Sequence, residues 1–222
     1  MTFLTRLAPI LMLVVAACTG PEQSGTSTTI PTSTPVPHQT PSTLVPGETR
    51  VGVVGCSVTL DAVRGYGRIG GSRIWPESEF NYGLGTVAAW AETDTRYWEQ
   101  FEAGLEEYPD TKDVWWQLCA GSGDDSLDEA IQALSMLRSL APGVSIYVSA
   151  QPSYSPGHVC PIAGPMGPDD MASLVEALVA EHGALPGPDM GVLPDERLRD
   201  NCHSDQEGAE EQGRILLGFF GG

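Results

Sequence analysis

The chain has 222 residues and carries 11 Lys plus Arg against 29 Asp plus Glu, a formal net charge of −18. Lys112 is the only lysine, and a chain so poor in cations cannot neutralise a phosphate backbone, which excludes nucleic acid as a partner. The acidic residues are scattered rather than run together, which suits a solvated surface and gives no sign of a metal cage.

The first residues read as a leader. Arg6 is a positive start, Leu7 to Val15 is an apolar stretch too short to span a bilayer as a mature helix, and Val15-Ala16-Ala17 offers a small-residue cleavage site. Residues 1–17 are therefore expected to be a secretory signal. Cys18, placed right after the small residues, resembles the lipobox of bacterial lipoproteins, which implies that it becomes a lipidated N-terminus; the competing reading is an ordinary signal with an incidental cysteine. No later stretch is long and apolar enough to cross a membrane, so the lipid anchor is the expected membrane attachment. Residues 19–48 are rich in Ser, Thr, Pro and Gly and cannot bury enough surface to offset their ordering entropy. They read as a disordered stalk in which His38 is solvated.

From residue 49 to 222 about 170 residues remain, enough for one core. Val51-Gly52-Val53-Val54 is a branched apolar run bounded by Gly55, as expected of a buried parallel strand. Val58 to Tyr66 follows as a short helix, residues 79–84 as a weak extended segment, and Thr86 to Glu107 as one helix with Val87, Trp90, Trp98 and Phe101 on its apolar face. Val114 to Cys119 is the next strand, in which the adjacent Trp115 and Trp116 must face opposite sides of the sheet. A capping box, Ser126 with Glu129, opens a helix that Pro142-Gly143 stops. Val144 to Ala150 is a further buried strand, followed by a Pro- and Gly-rich loop and a helix from Asp169 to His182, whose imidazole suits the helix C-terminus. A second capping box, Ser204 with Glu207, opens the last helix. Alternating strands and helices predict an α/β fold, three α/β/α layers around a parallel, flavodoxin-like sheet. Ligands bind such sheets beyond the carboxyl ends of the strands. That rule gathers Ser57, the segment after Cys119, the loop after Ala150 and residues 200–203.

Those segments hold the residues with chemistry. A serine hydroxyl needs a base to take its proton, and the base needs an anion to fix its tautomer and stabilise its charged form. Ser57, Asp200 and His203 occur in the order serine, aspartate, histidine. Asp200 lies three residues before His203, so one turn-like loop can carry both. Each residue also has a plainer reading: Ser57 as a helix cap, Asp200 as a loop carboxylate, His203 as the residue ahead of a cap.

From Val51 to Phe220 the chain resembles the SGNH hydrolase superfamily, the GDSL-like esterases and lipases. In that family the nucleophile follows the first strand in a Gly-Asp-Ser block, matched here by Gly55-Cys56-Ser57, and Asp-x-x-His precedes the last helix, matched by Asp200 to His203. The resemblance implies that Gly85, in Gly83-Leu84-Gly85-Thr86, lends its amide to the oxyanion beside the Ser57 amide. Two departures stand out. Cys56 replaces the usual aspartate, and Ala120-Gly121-Ser122-Gly123-Asp124 lacks the asparagine that donates to the oxyanion in the family. Ser122, or Gln117 reaching back from its strand, is the substitute to examine, since one missing donor costs ~100-fold to 1000-fold in turnover.

Cys56, Cys119, Cys160 and Cys202 form an even set in a chain bound for an oxidising compartment, and four cysteines permit three pairings. If Cys56 and Cys119 end neighbouring strands while Cys160 and Cys202 lie on late loops at the same edge, the bridges expected are Cys56–Cys119 and Cys160–Cys202. Zinc is the competing use, disfavoured by the lack of a Cys-x-x-Cys pair. His158 and Trp75 are the remaining candidate substrate contacts, Trp75 as a sugar-stacking platform. Gly65-Tyr66-Gly67-Arg68-Ile69-Gly70 matches a dinucleotide fingerprint in letters only, since it does not join a strand to a helix. The expectation is an extracytoplasmic serine esterase acting on a small-molecule or carbohydrate ester, such as an O-acetyl group, with no metal or organic cofactor. A binding lipoprotein on the same scaffold, and a Cys56 nucleophile, are the alternatives.

Overall fold

Branched apolar runs build the sheet. A computed structural model describes residues 49–77, 85–121, 125–165 and 167–222. Its strands are β1 (Arg50–Val54), β2 (Thr111–Leu118), β3 (Ser145–Ala150), β4 (Ser153–Tyr154), β5 (Leu185–Pro186) and β6 (Val192–Leu193). β1, β2, β3 and β5 pair in parallel in that spatial order, and β4 pairs with β6 in a separate two-stranded ribbon. On the other side of β1, the Val51 N–H donates to the Arg73 carbonyl at 2.9 Å and the Trp75 N–H to the Val51 carbonyl at 3.0 Å. This makes a single parallel bridge at Ile74. Counting that bridge, the chain order across the sheet is 2-1-3-4-5, the flavodoxin-like arrangement. The expected extended segment 79–84 lies outside the described residues.

Trp115 and Trp116 are both fully buried. Successive strand residues point to opposite faces, so helices must cover both sides. They are α1 (Ser57–Arg68), α2 (Val87–Ala91), α3 (Arg96–Glu107), α4 (Leu127–Leu140), α5 (Gly167–His182) and α6 (Gln206–Phe220). α1 packs on α6, while α4 packs on α2 and α5, giving the α/β/α layering.

The single helix expected from Thr86 to Glu107 is two. Thr86 caps α2 by accepting the Ala89 N–H, Glu92 is already extended, and Asp94 adopts a left-handed φ of 57°. The Trp98 indole then donates to the Glu92 carbonyl at 2.9 Å, filling an acceptor that the broken helix leaves open. The Ser126–Glu129 capping box forms as expected. At α6 the cap is Asp205, whose carboxylate accepts the Gly208 N–H at 2.7 Å, rather than Ser204, which is buried.

Gly65, the first glycine of the false dinucleotide motif, serves packing together with Gly213 of α6. A Cβ on Gly65 would stand 1.7 Å from the Ala209 carbonyl oxygen, and one on Gly213 would stand 2.3 Å from the Tyr66 nitrogen. Only glycine lets the α1 and α6 backbones approach this closely. The consequence is positional: the loop that enters α6 is pressed against the start of α1.

Disulfides join Cys56 to Cys119 and Cys160 to Cys202. Two such bridges fit an oxidising, extracytoplasmic compartment. Among the described residues no helix is long and apolar enough to cross a membrane.

Candidate active site

Ser57 is the first residue of α1, directly beyond β1 and Gly55. In the first turn a backbone N–H has no partner within the helix, so the Ser57 amide is a donor aligned with the positive end of the helix dipole. His203 Nε2 lies 2.8 Å from Ser57 Oγ. On the other side of the ring, Nδ1 is 2.9 Å from Asp200 Oδ2 and 3.1 Å from Oδ1. The three residues expected from sequence therefore form one connected chain of hydrogen bonds.

The loop from 199 to 205 is built to hold that geometry. Asp200 Oδ1 accepts the Cys202 N–H at 2.7 Å and the His203 N–H at 2.8 Å, and the Arg199 N–H donates to the His203 carbonyl at 3.0 Å. Burial by itself raises the Asp200 pKa, but the two backbone N–H groups and then the imidazole outweigh it and hold the carboxyl at about 2. The Tyr154 hydroxyl donates to the Cys202 carbonyl at 2.9 Å. Burial, and then the Asp200 charge, push that phenol to about 12, so it remains neutral.

A pocket with about 400 Å³ of empty space opens beside Ser57 and His203. Val58, Ala120, Tyr154, Ile162 and Ala163 are among the residues that wall it, with Thr86 and Gln151 as polar members. Gly85 is buried next to Thr86, and a Cβ on it would stand 2.4 Å from Trp90 Nε1. That indole in turn donates to the Gly55 carbonyl at 2.9 Å. The Gly85-Thr86 segment is thus fastened to Gly55 at the end of β1, two residues before Ser57.

Several expectations do not hold. Gln117 is fully buried, and its Oε1 accepts the Thr59 hydroxyl at 2.6 Å beside the Cys56–Cys119 bridge, so it does not reach the pocket. Trp75 is 1% exposed, with its indole donating to Thr111 Oγ1 at 3.0 Å, and is a core residue rather than a sugar platform. His158 spends both ring nitrogens on loops: Nδ1 is 3.1 Å from Asp195 and Nε2 is 2.8 Å from the Asn201 carbonyl. It buttresses the 199–205 loop and is not among the residues that line the pocket. Ser122 lies outside the described residues, as do Cys18 and the stalk. Because Cys56 is disulfide-bonded it has no thiolate, which removes the cysteine-nucleophile reading. The same bonding of all four cysteines removes the thiolates a zinc site would need.

Sequence reasoning missed the clasp beneath the triad. Asp61 sits one helical turn after Ser57, is 1% exposed, and accepts Arg199 Nη1 at 2.9 Å and Arg64 Nη1 at 3.4 Å. The same Arg199 nitrogen donates to the Ser204 carbonyl at 3.0 Å, and Arg199 Nε lies 3.8 Å from Asp200. One guanidinium thereby ties the 199–205 loop to the helix that begins at Ser57. No local pattern could reveal it, because Asp61 and Arg199 are 138 positions apart.

Arg199→Met should lower stability by about 2 kcal/mol, discounted for the half-exposed guanidinium from the usual cost of orphaning a buried carboxylate. For the esterase expected from the sequence, it should also cut kcat about tenfold or more as the loop loosens. Arg199→Lys, which keeps the charge but loses the fork, should fall between. Urea titration and steady-state kinetics on the pair check this; wild-type values for Arg199→Met would show the clasp to be idle.

No family model matches the chain, and no curated protein does. One crystal structure is 12% identical to it over 77% of this chain and 95% of its own, with a TM-score of 0.47.

Proposed function

We propose that the chain is an extracytoplasmic serine esterase of the SGNH type that hydrolyses carboxylic esters through an acyl-enzyme. The observation that carries this reading is the 2.8 Å contact between His203 Nε2 and Ser57 Oγ, with Asp200 on the opposite ring nitrogen. Ser57 Oγ attacks the ester carbonyl carbon while its proton passes to His203 Nε2, and the carbonyl electron pair moves onto oxygen. The tetrahedral species collapses, the alcohol leaves with the proton from His203, and the acyl group stays on Ser57. Water then repeats the sequence: His203 takes its proton, the hydroxide adds to the acyl carbon, and the carboxylic acid departs as Ser57 recovers its hydrogen. Asp200 stays ionised throughout and orients the ring.

The pocket walls of Val58, Ala120 and Ala163 offer an apolar surface to an acyl group. A chain tethered through Cys18 on a Ser/Thr/Pro-rich stalk would meet polymers of the cell envelope. Both points favour an O-acetylated carbohydrate as substrate.

Labelling with a fluorophosphonate tests the reading. Wild-type protein should be modified stoichiometrically and Ser57→Ala not at all, both having the same circular dichroism. Folded wild type that resists the reagent would instead support a binding lipoprotein on this scaffold.

A further inference from the structure

The oxyanion site lacks the side-chain amide that the β2–α4 loop would be expected to supply. The described backbone donors at the end of β2 are already used: the Ala120 N–H donates to Gln151 Oε1 at 2.9 Å and the Gly121 N–H to Asp125 Oδ2 at 2.7 Å. Among the described residues, the side chain to examine as a donor lies just beyond the next strand.

Gln151 follows β3, the neighbour of β2 in the sheet. Its own N–H donates to the Leu118 carbonyl at 2.9 Å, which fixes its backbone over the carboxyl end of β2. A backbone N–H can only donate, so the side-chain atom that receives Ala120 must be the carbonyl oxygen. The other end of that planar amide, Nε2, is then a pure donor held in one orientation. Gln151 is 5% exposed and lines the pocket that also contains Ser57, Thr86 and His203. Gly167, at the start of α5, keeps this corner clear. A Cβ there would stand 2.9 Å from both the Ala120 and Ala163 methyl carbons and 4.0 Å from Nε2.

We propose that Gln151 Nε2 is the side-chain donor that stabilises the oxyanion, acting with the backbone amides of Ser57 and Gly85. The step is electrostatic and moves no proton from Gln151: the carbonyl oxygen gains the electron pair when Ser57 Oγ bonds to carbon, and Nε2–H strengthens its hydrogen bond as that charge grows. Because Oε1 is already anchored, the donor need not reorganise as the reaction proceeds, which is the condition under which such groups are most effective. This inference rests on the esterase reading above.

The test uses Gln151→Met, which removes the donor at similar volume, and Gln151→Glu, which keeps an oxygen for Ala120 but removes the donor. Both should lose about 100-fold in kcat, with KM changed no more than about threefold, as for an interaction made only in the transition state. Inhibition by an alkyl trifluoromethyl ketone, whose adduct with Ser57 carries the same oxyanion, should weaken by about the same factor as kcat/KM. A merely structural glutamine predicts otherwise: the melting temperature would drop while ketone affinity and kcat of the folded fraction stayed at wild-type levels, and that result overturns the proposal. Retention of kcat within about threefold by Gln151→Met, against the 100-fold expected of a lost donor, overturns it equally. Fluorophosphonate labelling of wild type separates the two levels. A labelled wild type with indifferent Gln151 variants refutes only the donor assignment, whereas an unlabelled wild type refutes the esterase and this assignment together.

Discussion

His203→Ala should lower kcat toward a short-chain nitrophenyl ester by about a million-fold, the scale seen when a triad base is deleted. The ring contacts Ser57 on one side and Asp200 on the other, so its loss leaves the Ser57 hydroxyl with no base to take its proton. The fold should survive. What shapes this loop is its backbone, through the Arg199 N–H to His203 carbonyl bond and the His203 N–H to Asp200 bond, and an alanine keeps both. Asp200→Asn should cost about 10,000-fold, because an amide in place of the carboxylate favours the wrong imidazole tautomer. The two losses should not add in a double variant, since the residues act as one unit. A His203→Ala enzyme within about tenfold of wild type, against the million-fold loss expected, would remove the acyl-enzyme mechanism.

The charge on Asp200 also sets a pH expectation whose sign is fixed. Its carboxyl titrates at about 2 in the folded chain, against an ordinary 3.8. The folded state therefore binds this proton less readily than the unfolded state does. The stabilisation from the anion is complete above the ordinary value and disappears as pH falls through about 2. Asp200→Asn should consequently change the acid-unfolding curve below about pH 4 and leave its shape between about pH 5 and 7 as in wild type. In the wild-type enzyme, loss of rate on acidification at pH values well above 3.8 cannot come from protonating Asp200.

The hydrogen-bonded chain of Ser57, His203 and Asp200 was legible because each member sits where a local rule places it: Ser57 after a branched apolar strand, Asp200 and His203 ahead of a capped helix. The order of strands and helices gave the layering for the same reason, since the short length, branched residues and bounding Gly55 of a run such as Val51 to Val54 mark a buried parallel strand. What could not be read was set by distant partners. The Thr86 to Glu107 stretch has continuous helical periodicity, yet Asp94 turns left-handed and the Trp98 indole caps the Glu92 carbonyl; apolar spacing carries no trace of that break. Trp75 stands in a loop before Pro76 and reads as exposed, but the Ile74 bridge to Val51 draws it into the core. His158 is diverted by Asp195 and the Asn201 carbonyl, partners 37 and 43 residues away. Gln151 carried no signal at all, because its meaning depends on the Ala120 N–H that it accepts across the sheet.

Removing the Cys160–Cys202 bridge should cost more in function than removing Cys56–Cys119, although the two cost similar stability. The bridges close segments of 42 and 63 residues, for which chain entropy predicts about 4 kcal/mol each. Their positions differ in what else holds the neighbouring Ser57 or His203. Cys56 precedes Ser57, but its N–H is also held by Thr59 Oγ1 at 2.9 Å, and the α1 helix fixes Ser57 independently. Cys202 precedes His203, in a loop outside any helix or longer strand, closed by a single bridge between Leu198 and Ser204. Its N–H binds Asp200 and its carbonyl receives Tyr154, so displacing Cys202 disturbs the acid, the base and the pocket wall together. Cys160→Ala/Cys202→Ala should therefore lose kcat about 100-fold even under conditions where it is fully folded, in keeping with the cost of misplacing a catalytic group by about 1 Å. Cys56→Ala/Cys119→Ala, measured while fully folded, should stay within about tenfold of wild type, because the proton-transfer distance is preserved. All four cysteines are at most 7% exposed, so dithiothreitol should inactivate native enzyme only as fast as local opening exposes the sulfurs. Urea midpoints and single-turnover acylation rates on the two double variants decide the matter, and equal loss of acylation in both would mean that the bridges act only through stability.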